Sequence, residues 1–479
     1  MKQRSLWIVV WCALVELSGC GRSSGRAEPS DAAPQRTTPD VEASPATPAS
    51  RDRDAAARMA GRPATEQTAA RASGTNVSAG PESAATSQAG SSGLVTSQTD
   101  DDAGLVLDAG SPREPAPQTS AESGRAPVGT TRIEINARRM RRLPVQLWYP
   151  TTEALRAQAA AGRAMSELEP PGPQRDLLEK LLASAPAACT NRTMHAALDA
   201  PVASAPGPYP LLVYSHHLEG MRTALFSLAE ALAGRGFVVA APDHVGRTLF
   251  DRDDDLQTAD PVASVLRSGL DDAAVRADDI ESVLDVLLDP QADAVPDALR
   301  GQLDAQRVGM FGHSMGSMTS GIVTARESRV RAAAFLSYPP ARTAISLGQP
   351  TIGELQVPAL FMLNREDAPL SAVSALDSIR EQFESYSAQA YLVEVNDTGH
   401  WSFADDCGLI ADFMDGCGMG TRQAEPHEAF AFLAPSEARR IAAHYVGAFF
   451  SEQFLAADSE ALLGPPLSSA ATLKVHDAP

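Results

Sequence analysis

The chain has few aromatic residues, and one long stretch has none. Aromatics make up only 5% of the 479 residues, and no Phe, Tyr or Trp occurs between Trp11 and Trp148. A segment so poor in large apolar side chains cannot bury enough surface to offset the entropy lost on ordering it. We therefore expect residues 20–128 to be a disordered linker and residues 129–458 to form one large folded domain.

Positive charge and cysteine are also scarce. The net charge of −20 disfavours nucleic acid as a partner, because nucleic acid is itself a polyanion. Five cysteines in a chain of this length exclude a small domain held together by disulfides. No apolar run reaches the roughly 20 residues that a membrane-spanning helix needs, so we expect no such helix.

The N-terminus has the pattern of an export signal. Lys2 and Arg4 precede an apolar run at residues 6–15, which is too short to span a bilayer but fits the core of a secretory signal peptide. Residues 17–20 read Leu-Ser-Gly-Cys, which resembles the lipobox of bacterial lipoproteins. We expect a signal peptide at residues 1–19 and an exported bacterial lipoprotein anchored through Cys20 to the periplasmic or cell-surface side of a membrane. An ordinary cleaved signal peptide is the alternative.

From residue 130 the hydrophobic pattern alternates between strands and helices. Such alternation predicts an α/β fold with a mostly parallel central sheet flanked by helices, interrupted by a helical insertion near residues 152–205. The last residues, 459–479, are rich in Ala, Ser and Pro and are expected to form a flexible tail. Strands are predicted at 132–136, 143–150, 210–215, 237–241, 307–311, 330–336, 357–363 and 390–395, and helices at 223–235, 270–288, 315–326, 372–386 and 435–454.

The clearest chemical motif lies between a predicted strand and a predicted helix. Residues 312–316 read Gly-His-Ser-Met-Gly, which matches the nucleophile elbow G-x-S-x-G. In that motif a sharp turn lifts the serine hydroxyl above the sheet edge, and the glycines avoid collisions with neighbouring backbone. We therefore predict Ser314 as a nucleophile and the Met315 N–H as an oxyanion donor at the start of a helix.

A serine hydroxyl needs a base, and the base needs a carboxylate. His400 follows the last predicted strand beside a glycine turn and is our candidate base; His427 also lies downstream but within a run of Glu and Ala. The acid should lie between Ser314 and His400 in the chain. Asp367, just after the strand at 357–363, is the predicted acid, and its neighbour Glu366 is the alternative.

The loop after residues 211–214 is expected to complete the site. On positional grounds the Leu218 N–H is the second predicted oxyanion donor. His216 and His217 lie in the same loop, where a packing or loop-fixing role is favoured over a catalytic one. The possible pocket residues are His217, Asp243, His244 and Trp401.

Three cysteines remain in the predicted mature domain. In an oxidising envelope two of them are expected to pair. Cys407 and Cys417 are separated by a short loop, so they are the predicted disulfide, with Cys189 free or taking the place of one of them. A zinc site from Cys407, Cys417 and His427 would have unusual spacing, and we predict no metal.

The chain from about residue 130 to 455 resembles bacterial α/β-hydrolases described as predicted dienelactone hydrolases, which are related to platelet-activating-factor acetylhydrolases and cutinase-like polyesterases. The resemblance implies the α/β-hydrolase fold and ester hydrolysis without metal or cofactor. The matching segments are residues 143–150, 209–216, 240–244, 312–316 and 399–403.

The chain departs from these relatives at three places. Dienelactone hydrolases use a cysteine nucleophile where this chain has Ser314. The animal acetylhydrolases place their acid after the strand that corresponds to residues 330–336, where no carboxylate is present. His217 replaces the glycine usual in the S-H-G-x-G loop. We expect this replacement to alter the oxyanion loop or to narrow the acyl pocket.

These observations predict a serine esterase that cleaves carboxylic esters of small molecules or lipids through an acyl-enzyme intermediate. One rival is a lipase or phospholipase, similar to the acetylhydrolases, that acts on membrane lipid. Another is a lipoprotein that only binds at a surface and retains a hydrolase scaffold. A complete set of Ser, His and Asp candidates in the expected order argues against the second rival.

Overall fold

A computed structural model describes residues 125–189, 192–204, 207–251, 261–341, 350–371, 375–424, 426–457 and 460–477, without the side chains of 261–271. The predicted signal peptide, Cys20 and almost the whole predicted linker lie outside these residues. Residue 126 already contacts the folded domain, three residues before its predicted start at 129, because the Ala126 N–H donates to the Gly234 carbonyl at 2.9 Å.

The described part of the chain alternates strands and helices, as its pattern predicts. The strands are β1 (Val128–Ala137), β2 (Arg141–Pro150), β3 (Arg163–Ala164), β4 (Thr193–Met194), β5 (Ala196–Leu198), β6 (Tyr209–Ser215), β7 (Val238–Pro242), β8 (Leu303–His313), β9 (Val330–Leu336), β10 (Ala359–Asn364), β11 (Ala390–Val395), β12 (Met419–Thr421), β13 (Ala429–Ala431) and β14 (Ala471–His476). The α-helices are α1 (Arg156–Ala160), α2 (Pro173–Ser184), α3 (Phe226–Ala233), α4 (Pro261–Leu287), α5 (Met315–Arg326), α6 (Ala368–Ser371), α7 (Ala375–Glu384), α8 (Pro435–Phe454) and α9 (Glu460–Leu463).

Among the described residues, ten strands form one central sheet in the order β14-β11-β10-β9-β8-β6-β7-β2-β1-β5. The six strands from β11 to β7 are parallel. The hairpin β1–β2 joins β7 in antiparallel fashion. Parallel neighbours need long crossovers, and α3, α4, α5 and α7 lie in four of them. The sheet therefore has the mostly parallel, helix-flanked architecture of the α/β-hydrolase fold.

Successive side chains of the parallel strands enter two separate apolar cores. Leu212 and Phe311 face the layer that contains α3 and α8. Leu211 and Met310 face the opposite layer with α4 and α5. Each fully buried side chain of this kind contributes about 1.5–3 kcal/mol. Burial on both faces explains why these strands read as continuous apolar runs.

The predicted helical insertion is only partly helical. Its main helix is α2, in which Leu178 is buried and Leu181 and Leu182 pack against the core. The end of the insertion is extended: β5 pairs with β1 and forms one edge of the central sheet.

The prediction of a flexible tail at 459–479 is wrong for residues 471–476. These residues form β14, which pairs antiparallel with β11 over its full length and covers the other edge of the sheet. An uncovered edge strand exposes unpaired backbone N–H and C=O groups. Pairing with β11 satisfies these groups, and it orders a segment whose composition predicts a flexible tail. In the part of the chain that the structure describes, no helix is long and apolar enough to cross a membrane.

Candidate active site

Ser314 occupies a single-residue turn between β8 and α5. Its backbone has φ 56° and ψ −121°, a region that side chains rarely adopt. The Ser314 N–H donates to the Leu336 carbonyl of the neighbouring strand at 2.9 Å, which holds the turn against the sheet edge. The side chain is only 3% exposed.

Both glycines of the motif are required by close backbone approach. A Cβ atom at Gly312 would lie 2.1 Å from the Gly316 carbonyl oxygen, and one at Gly316 would lie 1.9 Å from the Ser215 carbonyl oxygen. Neither contact involves a flexible side chain that could move aside. The turn therefore places the start of α5 directly against the end of β6.

The fold brings together Ser314, His400 and Asp367, the three site residues predicted from the sequence. His400 Nε2 lies 2.8 Å from Ser314 Oγ, and His400 Nδ1 lies 2.7 Å from Asp367 Oδ2. All three side chains are almost fully buried. Asp367 Oδ1 accepts the Leu370 N–H at 2.9 Å, so the carboxylate is oriented from both sides. The geometry is that of a nucleophile, a base and an orienting acid.

The alternative residues lie elsewhere. Glu366 accepts from Arg422 Nη1 at 2.8 Å and from the Gln423 N–H at 2.9 Å. His427 is exposed, and its Nδ1 lies 3.0 Å from the Arg422 carbonyl. Neither residue takes part in the hydrogen bonds that join Ser314, His400 and Asp367.

Buried side chains hold the loop after β6. His216 Nδ1 and the Gly220 N–H both donate to the His217 carbonyl, at 2.7 and 3.0 Å. Because the carbonyl and N–H of one trans peptide point in opposite directions, these bonds also fix the direction of the Leu218 N–H. The other predicted donor, Met315, is the first residue of α5, where the N–H has no partner within the helix.

The His216 ring is neutral, and it donates from Nδ1. Burial lowers the pKa of His216 well below the usual histidine value, and the positive charge of Arg276 adds to this effect. The His244 N–H donates to His216 Nε2 at 3.1 Å, so the proton resides on Nδ1. Arg276 Nη1 donates to the His216 carbonyl at 2.8 Å, which anchors the same loop from α4.

The predicted pocket residues turn out to make buried polar contacts. His217 Nε2 lies 2.9 Å from Asp406 Oδ2 and so joins the loop after β6 to the segment that follows His400. Asp243 accepts from the backbone N–H and Nη1 of Arg222 at 2.7 and 2.6 Å. These contacts hold the loops in place.

His244 belongs to a second buried chain of hydrogen bonds. Its Nε2 lies 3.0 Å from Ser215 Oγ, and its Nδ1 lies 3.0 Å from Asp279 Oδ2. All three side chains are essentially inaccessible to solvent, and their contacts hold the end of β6 against α4.

Trp401 is half-buried next to the candidate base. Its ring lies 4.5 Å from the His400 ring and stacks on Phe413 at 5.4 Å, measured between centroids. A partly exposed aromatic surface therefore borders the side of His400.

The predicted disulfide between Cys407 and Cys417 is wrong. Cys417 instead forms a disulfide with Cys189, which lies in the insertion, and Cys407 is a buried free thiol beside it. Proximity in the chain favoured the short loop, but the fold brings the insertion against the segment after His400. Burial raises the pKa of the Cys407 thiol above its usual value, so Cys407 is held as a neutral thiol.

Two contacts of His400 had no signal in the sequence. His313 Nε2 donates to the His400 carbonyl at 2.7 Å, and burial keeps the pKa of His313 well below its usual range. Asp415 Oδ2 accepts the His400 N–H at 2.9 Å. His313 occupies the variable position of the elbow motif, and Asp415 lies in an irregular segment outside any recognised motif.

The chain is similar to two protein families and to one solved structure. The profile of "Platelet-activating factor acetylhydrolase, isoform II" matches residues 113–250. The profile of the "Dienelactone hydrolase family" matches residues 194–410, which include Ser314, Asp367 and His400. The chain is also similar to the solved structure of a ferulic acid esterase from Streptomyces cinnamoneus, at 24% identity and a TM-score of 0.46 over 74% of this chain and 98% of that chain. These matches support a hydrolase of the α/β-hydrolase fold that is similar to the dienelactone hydrolases and the platelet-activating-factor acetylhydrolases.

Proposed function

We propose that the protein is a serine esterase that cleaves carboxylic esters through Ser314, His400 and Asp367. The observation that carries the proposal is the continuous chain of contacts, 2.8 and 2.7 Å long, between three residues that are 86 and 33 positions apart. Such a chain is what activates a serine hydroxyl at neutral pH. The acetylhydrolase match supports an ester as the substrate.

In the first half-reaction Ser314 Oγ attacks the ester carbonyl while its proton passes to His400 Nε2. Asp367 stabilises the imidazolium that forms. The N–H groups of Met315 and Leu218 hold the oxyanion, and each such donor is worth about 100- to 1,000-fold in rate. His400 then protonates the leaving alcohol, and the acyl group remains on Ser314.

In the second half-reaction water replaces the alcohol. His400 takes a proton from the water, the resulting hydroxide adds to the acyl carbon, and collapse of the second oxyanion releases the acid and returns the proton to Ser314. Each proton removed by His400 is therefore given back within one half-reaction.

A fluorophosphonate probe tests the nucleophile directly. We expect the wild-type protein to be labelled once, Ser314→Ala to be unlabelled and inactive, and the surface control Ser385→Ala to behave as wild type. A folded wild-type protein that is not labelled and hydrolyses no ester would contradict the proposal and favour a binding role. A panel of nitrophenyl esters of increasing acyl length would then separate an esterase from a lipase.

We further propose that the protein is an exported lipoprotein anchored through Cys20. The disulfide between Cys189 and Cys417 supports an oxidising compartment, because disulfides rarely persist in the cytosol. Full-length protein expressed in a bacterium should incorporate radiolabelled palmitate and partition into detergent, whereas Cys20→Ser should do neither. Equal labelling of both would contradict the anchor.

A further inference from the structure

A carboxylate outside the triad contacts both loops that form it. Asp415 Oδ2 accepts the His400 N–H at 2.9 Å and the Ala368 N–H at 3.2 Å. Ala368 directly follows Asp367. One oxygen atom therefore holds the backbone of the base and the backbone next to the acid, and so fixes the two loops relative to each other.

Asp415 is itself held firmly against the turn that contains His400. The Asp415 carbonyl accepts the Trp401 N–H at 2.8 Å. Ser402 Oγ donates to the Gly416 carbonyl at 3.0 Å. A Cβ atom at Gly416 would lie 2.5 Å from the Ser402 nitrogen, so the two segments are in direct backbone contact. The disulfide at Cys417, two residues along, ties this segment to the insertion.

A charged carboxylate at position 415 is electrostatically unfavourable, and the two hydrogen bonds that it accepts do not require a charge. Burial, together with the charge of Asp367, raises the pKa of Asp415 to about 6. Asp415 also interacts with His400 and with the neutral Cys407 thiol. An uncharged amide oxygen could accept the same two N–H groups without repelling Asp367. The carboxylate also interacts electrostatically with His400, whose backbone N–H lies 2.9 Å from Asp415 Oδ2.

We propose that Asp415 is a second positioning carboxylate for the base: it aligns the backbones of His400 and Asp367, and its negative charge favours the imidazolium formed when Ser314 transfers its proton to His400 Nε2. This inference rests on the proposed function. Asp415 acts on His400 through the backbone and through space and does not touch the reacting atoms.

Substitution by asparagine separates alignment from charge. Asp415→Asn keeps an acceptor oxygen but removes the charge, and Asp415→Ala removes both. For Asp415→Asn we expect kcat to fall about tenfold and KM to stay nearly constant. The acidic limb of the kcat/KM profile should move down by a fraction of a pH unit, because the imidazolium loses a stabilising charge that protonation of Asp415 already weakens below about pH 6. Asp415→Ala should lose more activity. Glu428→Gln removes a charge from an exposed site and should leave both parameters unchanged.

The melting temperature gives a second readout: Asp415→Asn is expected to lose activity but to gain stability. Because the folded-state pKa of Asp415 is raised above its unfolded value, its contribution to stability is present at low pH and is lost as pH rises through about 6. Asp415→Asn should therefore melt at a higher temperature than the wild type at neutral pH, and this difference should vanish in acid.

The possible results of these experiments distinguish a failure of the proposal for Asp415 from a failure of the proposed function. An Asp415→Asn variant with wild-type kcat and an unshifted acidic limb overturns this proposal, as does one that fails to fold at neutral pH. Equal loss in the Asn and Ala variants without a shift of the limb reduces Asp415 to a structural role and also overturns it. A wild-type protein without esterase activity or probe labelling would overturn the proposed function first, before any variant is compared.

Discussion

Replacing Ser314 by glycine is expected to give a more stable protein than replacing it by alanine. Both variants lose the hydroxyl and its contact with His400. The free energy of that contact therefore cancels when the two variants are compared. They differ in the Cβ atom, which alanine retains and glycine lacks. Ser314 has φ 56° and ψ −121°, where a Cβ atom is strained.

The magnitude follows from two opposing terms. A non-glycine residue in a sparsely populated backbone region costs about 1–3 kcal/mol in the folded state. Glycine in turn gains about 0.4–1 kcal/mol of extra entropy in the unfolded chain, which disfavours folding. At the centre of these ranges we expect Ser314→Gly to exceed Ser314→Ala in unfolding free energy by about 1.3 kcal/mol, and at most by about 2.6 kcal/mol.

A matched pair at Ser378 provides the control. Ser378 lies inside α7, where the backbone is helical and glycine is less stable than alanine by about 1 kcal/mol. Urea unfolding of all four variants, followed by tryptophan fluorescence, measures both differences. The sign should reverse between positions 314 and 378. If alanine is as stable as glycine at position 314, the elbow stores no strain and the reasoning fails.

Three further predictions concern the supports of the site. Gly316→Ala should abolish probe labelling of Ser314, since its methyl group would lie 1.9 Å from the Ser215 carbonyl oxygen; labelling at the wild-type rate would show that the turn can adjust. Cys189→Ser should lower the unfolding free energy by about 2–5 kcal/mol, measured by urea unfolding under non-reducing conditions; an unchanged midpoint would argue against the disulfide. Deletion of residues 471–479 should lower the melting temperature and promote aggregation, detected by light scattering, because the edge of β11 becomes exposed.

Much of the fold was accessible from the sequence because the relevant signals are local. The period-two and period-3.6 patterns placed α5, β9, β11 and α8 at their observed bounds. The prediction for the tail was wrong because it rested on a composition rich in Ala, Ser and Pro. The backbone of residues 471–476 is ordered by an edge strand that lies far away in the chain, and composition does not report this.

The candidate site likewise contains residues that a local pattern predicts and residues that only distant contacts bring to the site. Ser314 could be nominated from its motif, and His400 and Asp367 from their places after strands. Asp415 could not, because it follows no strand and its partners are backbone N–H groups, which every residue carries. The cysteine pairing was also misjudged, since Cys189 is 228 residues from Cys417 in the chain.

The amino-acid order alone thus determined the elements, the sharp turn at the nucleophile and the types of side chain that could react. These depend on periodicity, on glycine geometry and on intrinsic chemistry, all of which act over a few neighbouring residues. Only the packed sheet decided which groups meet: the base with its hydroxyl, Asp415 with two loops, and the insertion with the segment after His400. Contacts between distant parts of a chain arise when the layers close over a shared core, so no local pattern encodes them.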